Sequence, residues 1–381
     1  MRQKMKHLSD FVSGRDNNLN LIRFLAAFTV VFAHSFIVMT GQRDAGPLIE
    51  STGHDLGYHA VNVFFVASGF LIAQSWNLRP SLSHFAAGRF LRLWPALVIC
   101  GLFVAFIIGP MVTTLPLAHY FAAPATYEYL PRVLSLIKVD SPLPGVMTTL
   151  PSDTGIDAPL WTLKYEALCY LSLALFGLVG GFASPSRFWA WIAPIMILLA
   201  ATSFFPIARD LTHPYAHFVR FGLCFGLGTI AYVSAARLPM TVLAIPVSFG
   251  AAVLLRETPL YELALVLFTA YATLWLAFVP ASFIRRFNRL GDYSYGIYIY
   301  AYPIQQLLAL RFPRLTALDL FALVSPIVVA MAVASWHYVE RPSLSRKRIL
   351  ADLLPRSIDG LTGRESKASP PSKDLPDRAS A

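Results

Sequence analysis

Long, nearly unbroken apolar stretches separated by short polar ones run along most of this chain. A helix needs about 20 predominantly apolar residues to cross the hydrocarbon core of a bilayer. Ten stretches approach that length: Leu19–Met39, Tyr58–Trp76, Phe90–Val112, Leu160–Phe182, Phe188–Ile207, Ala216–Ala236, Leu238–Leu255, Leu260–Ala281, Tyr293–Leu310 and Ala317–Trp336. Leu238–Leu255 and Tyr293–Leu310 are the shortest. The pattern predicts an all-α, polytopic membrane protein with about ten transmembrane helices.

The polar residues between the stretches set its orientation. With the amino terminus in the cytoplasm, 22 of the 31 Lys and Arg residues fall on that side, as the positive-inside bias requires. The outer segments hold Asp44, Glu50, Asp55, Glu128, Asp140, Asp153 and Asp157 instead. An even number of spans leaves both termini cytoplasmic. Residues 1–18 then form a cytoplasmic amino-terminal segment, 19–345 the membrane domain and 346–381 a cytoplasmic tail. From about Asp359 the tail is rich in Gly, Ser, Pro and charge and is expected to be disordered. No small-residue cleavage pattern follows the first apolar stretch, so it is expected to be a retained span. The sizeable non-spanning region, residues 113–159, is expected to lie outside and cap the outer face.

Composition agrees with a lipid solvent. The 381 residues are 56% hydrophobic and 14% charged, where a soluble domain carries about 25% charged residues. The net charge of +10 flanks apolar segments and so reads as membrane orientation, with no nucleic-acid partner. Cys100, Cys169 and Cys224 all lie in apolar runs and give neither a disulfide framework nor a metal spacing. A secreted enzyme, a DNA binder and a disordered scaffold are excluded.

Ionisable side chains inside spans point to function, because each is costly in lipid unless paired or hydrated. Arg23 and His34 are eleven residues apart, close to three turns, and so lie on nearly one helix face about 16 Å apart along the axis. Arg23 reads either as a snorkelling anchor or as a site residue. His34 reads as a packed interior histidine or as a base that takes a proton from a hydroxyl. Ser68-Gly69 in mid-span permits close approach of a helix or a ligand. Arg89 and Arg92, at i and i+3, are suited to gripping phosphate or to anchoring the inner interface. Glu166, near Lys164, is placed to orient a histidine, accept a bond from a sugar hydroxyl, or pair with an arginine. Arg220, Glu262 and Asp292 read as structural pairing, and Glu340 sits among basic residues where Pro342 is expected to stop the last helix. The stretch Asp292–Gln306 carries five tyrosines and two glutamines, among them Tyr295 and Tyr298, a polar aromatic wall that suits a hydrated pocket. There is no Gly-x-x-x-x-Gly-Lys phosphate loop, no His-Glu-x-x-His zinc helix and no Gly-x-Ser-x-Gly elbow.

In this order the pieces resemble the integral-membrane acyltransferase-3 family. The resemblance is carried by Leu21-Ile22-Arg23-Phe24-Leu25-Ala26-Ala27 with His34, Phe64-Phe65-Val66-Ala67-Ser68-Gly69-Phe70-Leu71-Ile72, and Arg89-x-x-Arg92-x-x-Pro95. It continues in Leu160-Trp161-Thr162-Leu163-x-x-Glu166, Gly291-Asp292-Tyr293-Ser294-Tyr295-Gly296-Ile297-Tyr298 and Tyr338-x-x-Glu340-x-Pro342. It spans about residues 17–345.

The resemblance implies an O-acyltransferase of the bacterial cytoplasmic membrane. It would carry acyl groups, commonly acetyl from cytoplasmic acetyl-CoA, to hydroxyls of exported or envelope glycans, with acyl-CoA as co-substrate and no bound cofactor or metal. It implies His34 as the catalytic histidine, Arg23 as its companion, and Arg89 and Arg92 as donor-binding residues. Tyr302 stands where many relatives have histidine before proline, so that position is assigned no acid–base role. The acceptor would be a saccharide or a lipid-linked glycan. With no esterase-like domain after the last span, transfer is expected to be completed by the membrane part or by a separate glycan-assembly partner. A transporter or flippase for a lipid-linked sugar or small solute is the rival reading, although no duplicated halves are evident.

Overall fold

In a computed structural model of the protein, residues 6–12, 16–42, 45–139, 142–148, 155–210 and 212–354 are described. The expected tail disorder from Asp359 lies outside them. Among the described residues there is no β-strand, only a single bridge between His7 and Pro239. The ten predicted stretches correspond to helices α1 (Leu19–Thr40), α2 (Leu56–Leu78), α3 (Leu82–Val112), α4 (Leu163–Leu178) and α5 (Pro185–Thr202), followed by α6 (Pro214–Val233), α7 (Ala244–Leu254), α8 (Tyr261–Phe278), α9 (Ser294–Arg311) and α10 (Ala317–Ser345). Seven are long and apolar enough to cross a membrane; α4, α7 and α9 are the exceptions.

Each exception has a physical cause. The stretch predicted from Leu160 opens with a 3-10 turn, Ala158–Thr162, and Gly180 at φ +79° closes it, leaving α4 with 16 residues. Those rise about 24 Å, short of the roughly 30 Å core. The 11 residues of α7 are shorter still. Helix α9 has length but not apolarity, and 13 of its 18 residues are buried by protein. It packs against α1 and α10 inside the bundle, where tyrosines and glutamines need not face lipid.

The bundle is organised around the contact between α2 and α6. A Cβ on Gly69 would stand 2.0 Å from the Phe225 carbonyl oxygen, and one on Gly228 2.2 Å from that of Val66. Glycine is therefore required on both helices for the backbones to meet. Thr229 Oγ1 donates to the Gly69 carbonyl at 3.3 Å, and the Phe65 and Phe221 rings stack with centroids 4.0 Å apart. The short approach available to Ser68-Gly69 is thus used for helix packing on the glycine side.

The described part of the segment 113–159 packs against the side of α3. Its helix Pro124–Leu134 runs back along α3, burying Thr126, Tyr129 and Val133. Two glycines on α3 make the groove: a Cβ on Gly109 would lie 2.0 Å from the Tyr120 hydroxyl, and one on Gly101 2.7 Å from Leu130. Tyr120 donates to the Ala105 carbonyl at 2.7 Å, and Trp94 Nε1 to the Leu134 carbonyl at 3.1 Å. The segment therefore descends to within two residues of Arg92 before the chain returns as Ala158–Thr162.

The last helix also departs from expectation, because it continues through Pro342 to Ser345. A wide turn over Trp336–Glu340 lets the Arg341 N–H reach the Trp336 carbonyl, five residues back. Pro342, with no N–H to offer, follows that turn without breaking the helix. Such π turns often re-aim a side chain, and this one carries Glu340, only 1% exposed.

Gly69→Ala is expected to force α2 and α6 apart and to destabilise by about 1–3 kcal/mol, the usual cost of overpacking. Gly250→Ala, where nothing lies within 4 Å of the added carbon, should be neutral or slightly stabilising. Thermal melts of the two variants in detergent decide; equal melting would contradict the packing.

Candidate active site

A narrow chamber of about 50 Å³ lies between the inward faces of α1, α2, α3, α4 and α9. Arg23, Ser68, Arg92, Glu166, Tyr295 and Tyr298 all line it, together with Phe64, Thr162 and Ser294. Six of the eight residues expected at the site thus converge, from five helices. Arg23 and Arg92 share one carboxylate: Asp292 Oδ2 accepts from Arg23 at 2.5 Å and from Arg92 at 2.7 Å. The second nitrogen of the Arg92 fork donates to Glu340 at 3.0 Å. Ser294 donates to the other Asp292 oxygen at 2.6 Å and Ser335 to the other Glu340 oxygen at 3.0 Å.

Two guanidinium groups and two carboxyl groups therefore meet, with the Arg92 guanidinium 5.4 Å above the Tyr295 ring centre. Burial alone would raise the Asp292 carboxyl. Arg23, Arg92 and the Ser294 donors outweigh it and hold the group below the usual carboxylate range. The expected pairing of Asp292 is present, and Arg23 turns into the bundle instead of snorkelling to the interface.

Glu166 adds a further carboxylate to the chamber wall. It accepts from the Tyr170 hydroxyl one turn along α4, and Arg89 lies over the Tyr170 ring at 5.5 Å. Arg89 and Arg92 thus diverge although they start on one helix face. Arg92 enters the chamber, while Arg89 stands one ring behind it. On the opposite wall Tyr298 exchanges a hydrogen bond with Thr162 at 2.6 Å and donates to the Pro159 carbonyl. The short 3-10 turn is fixed to α9 by that hydroxyl.

His34 does not line the chamber. Its ring meets the Tyr302 ring edge-on, centroids 5.1 Å apart, and Tyr302 lies one turn beyond Tyr298 on α9. The imidazole is therefore about one turn further from the start of α1 than the end of the chamber. Arg23 and His34 border successive parts of one interior surface of α1.

Near the start of α3 cations crowd together, with Asp352 the acid closest to His84 among its charged neighbours. Arg79 and His84 approach at 3.2 Å, and a Cβ on Gly88 would lie 2.9 Å from the Lys347 ammonium, beside Arg89. Burial first, then Arg89 and Arg79, hold the Lys347 pKa below its ordinary value. Clustered cations of this kind attract anions. Reading the sequence did not single out Lys347, because a lysine after the last span resembles any positive-inside anchor. Thr162 and Tyr170 carried no charge to mark them. A separate cluster holds the remaining singled-out residues: Glu262 pairs with His54 at 2.7 Å, whereas Arg220 lies against rings and has no ion pair to a carboxylate among the described residues.

A family model described as an acyltransferase domain matches residues 16–337. The O-acetyl transferase of Shigella phage Sf6 is 26% identical over 339 residues, covering 87% of this chain and 97% of the relative. Nodulation protein 10 of Rhizobium leguminosarum bv. viciae is 26% identical over 394 residues, covering 89% and 96%. Acyltransferase MdmB of Streptomyces mycarofaciens is 29% identical over 200 residues, covering 51% and 48%. No solved structure matches. With the family model covering nearly all of the helical bundle, the chain belongs to the acyltransferase-3 family of multi-pass membrane acyltransferases.

Proposed function

We propose that the protein moves an acyl group, most simply acetyl, from cytoplasmic acyl-CoA to a hydroxyl of an exported or envelope saccharide, within the bacterial inner membrane. The observation that carries this reading is the convergence of Arg23, Arg92, Glu166, Ser68, Tyr295 and Tyr298 on one chamber; behind its wall Arg89 lies over Tyr170, and Lys347 lies against Gly88, forming a basic rim. The chamber is too small for a nucleotide but admits the acyl thioester end of one. The ten-span topology with both termini cytoplasmic belongs to the same reading and puts the rim on the donor's side.

The chemistry follows from the charges. Phosphates of the donor dock at Arg79, Arg89 and Lys347, where cations outnumber the one nearby carboxylate, Asp352. The thioester extends past Arg92 and Arg23, whose N–H groups favour the negative charge that builds on the carbonyl oxygen during attack. Their carboxylates keep them fixed, so no reorganisation is needed when that charge appears. His34 accepts the proton of the acceptor hydroxyl, the oxygen attacks the acyl carbon, the C–S bond breaks, and the CoA thiolate leaves and is protonated. Glu166 holds the pantetheine arm or an acceptor hydroxyl against the α4 wall.

His34→Ala should lower acetyl transfer about 10²-fold or more while leaving the melting temperature near wild type; normal product from that variant would remove His34 from the chemistry. Pairing Arg89→Ala with Lys347→Ala should raise the KM for acetyl-CoA about tenfold, equivalent to about 1.4 kcal/mol. The same pair should leave S-acetylpantetheine, which lacks the nucleotide phosphates, unaffected. An equal loss with both donors would contradict a phosphate rim. Asp292→Asn strips one carboxylate from two buried arginines and should cost about 3–5 kcal/mol. Because Asp292 titrates below its ordinary range, its contribution is complete above about pH 4 and lost as pH falls further. The gap in melting temperature between wild type and Asp292→Asn should close on acidification; a gap that widens would contradict the pairing.

A further inference from the structure

The polar cluster at the far end of the bundle, where α2, α6 and α8 begin, is not needed by the donor chemistry. Arg220, 8% exposed, lies with its guanidinium between the rings of Tyr58, 3.9 Å away, and Phe221, 4.4 Å away. One nitrogen approaches His217 Nδ1 at 3.4 Å, and its Nε and Nη1 are buried with no hydrogen-bond partner. Asn62, one turn further along α2 from Tyr58 and fully buried, leaves both its amide nitrogen and its amide oxygen unpartnered. Buried polar groups are nearly always paired, and leaving them unpaired is costly. Two such side chains on the facing surfaces of α2 and α6 therefore call for a ligand that supplies oxygens and hydroxyl donors together.

The surroundings define its chemistry. Glu262 accepts from Tyr58 at 2.6 Å and pairs with His54, and Asp55 accepts from the Tyr58 N–H at 2.7 Å. One guanidinium thus faces two carboxylates, which disfavours an anionic ligand. Flat faces border the same place: the Trp161 ring lies 4.3 Å from that of His217. Aromatic faces beside a mixed set of donors and acceptors suit a neutral sugar, whose ring has an apolar C–H face and hydroxyls that both give and accept.

Its position ties it to the reaction. Trp161 and Thr162 are consecutive, one turned toward His217 and the other toward Tyr298 in the chamber. A Cβ on Gly57, the neighbour of Tyr58, would lie 3.5 Å from Ala33, the neighbour of His34. The start of α2, which carries Tyr58 and Asn62, therefore packs on α1 beside His34.

Resting on the acyltransferase reading, we infer that Arg220 and Asn62, with Glu262 and the Trp161 face, form the acceptor site and bind a neutral hydroxyl-bearing saccharide ring. A sugar held there presents a neighbouring hydroxyl toward His34 from the side opposite the donor rim. Arg220 is a binding residue in this account and makes no contact with the donor.

The test uses full-length protein in nanodiscs with acetyl-CoA and a panel of neutral hexose, 6-deoxyhexose and N-acetylhexosamine oligosaccharides beside uronate- and phosphate-bearing ones. Arg220→Gln should raise the acceptor KM tenfold or more, Arg220→Lys less, with the acetyl-CoA KM unchanged in both. An unchanged acceptor KM, or an equal rise in the acetyl-CoA KM, would overturn the site, and a wild-type preference for the charged sugars would overturn the neutral class. Quenching of tryptophan fluorescence by the same sugars without donor separates this inference from the acyltransferase reading. Quenching lost in both Trp161→Phe and Arg220→Gln supports the site even if no acetyl is transferred. No quenching by any sugar in wild type overturns it even if acetyl-CoA is bound.

Discussion

Two arginines and two carboxylates buried in a bundle surrounded by lipid impose the strongest constraint on this protein. Any one of the four charges left alone there would be prohibitive, so Arg23, Arg92, Asp292 and Glu340 have to arrive together. They come from α1, α3, the turn just before α9 and the end of α10, so the two halves of the chain have to meet. Several local irregularities serve that meeting. The wide turn at Trp336–Glu340 delivers Glu340, Ser294 and Ser335 occupy the remaining carboxylate oxygens, and α9 gives up apolarity to lie in the interior.

Around this quartet the molecule divides by polarity and charge. One end gathers cations in excess over acids, and the other gathers aromatic rings with a mixed set of donors and acceptors. Between them the chamber ends at Tyr298 and His34 begins one turn later. Two reactants that differ in charge, one a polyphosphate thioester and one a sugar, would be sorted by that gradient alone. The short turn Ala158–Thr162 belongs to both halves. It is carried into the bundle by a segment that follows α3 inward because Gly101 and Gly109 leave it room.

Much of this was legible in the residues. Unbroken apolar runs predicted the all-helical bundle, and the ionisable side chains within them led to most of the chamber. What could not be read was geometry set by single atoms. The glycines that let the 113–159 segment lie along α3 look like ordinary helix glycines in sequence, so that contact could not be read. Pro342 was expected to end the last helix because the wide turn before it leaves no trace in composition. Arg89 and Arg92 share a helix face at their Cα atoms, yet long side chains reach different partners. Lys347 and Thr162 could be recognised only from what stands next to them.

The most direct test of the account follows the acyl group itself. Wild-type protein purified into proteoliposomes would receive acetyl-CoA labelled in the acetyl group together with saccharide acceptors. Appearance of one free CoA thiol for each label found in a base-labile sugar ester is the result the account predicts. Intact acetyl-CoA, with labelled sugar instead crossing the bilayer unmodified, would contradict it and make the chamber part of a transport path.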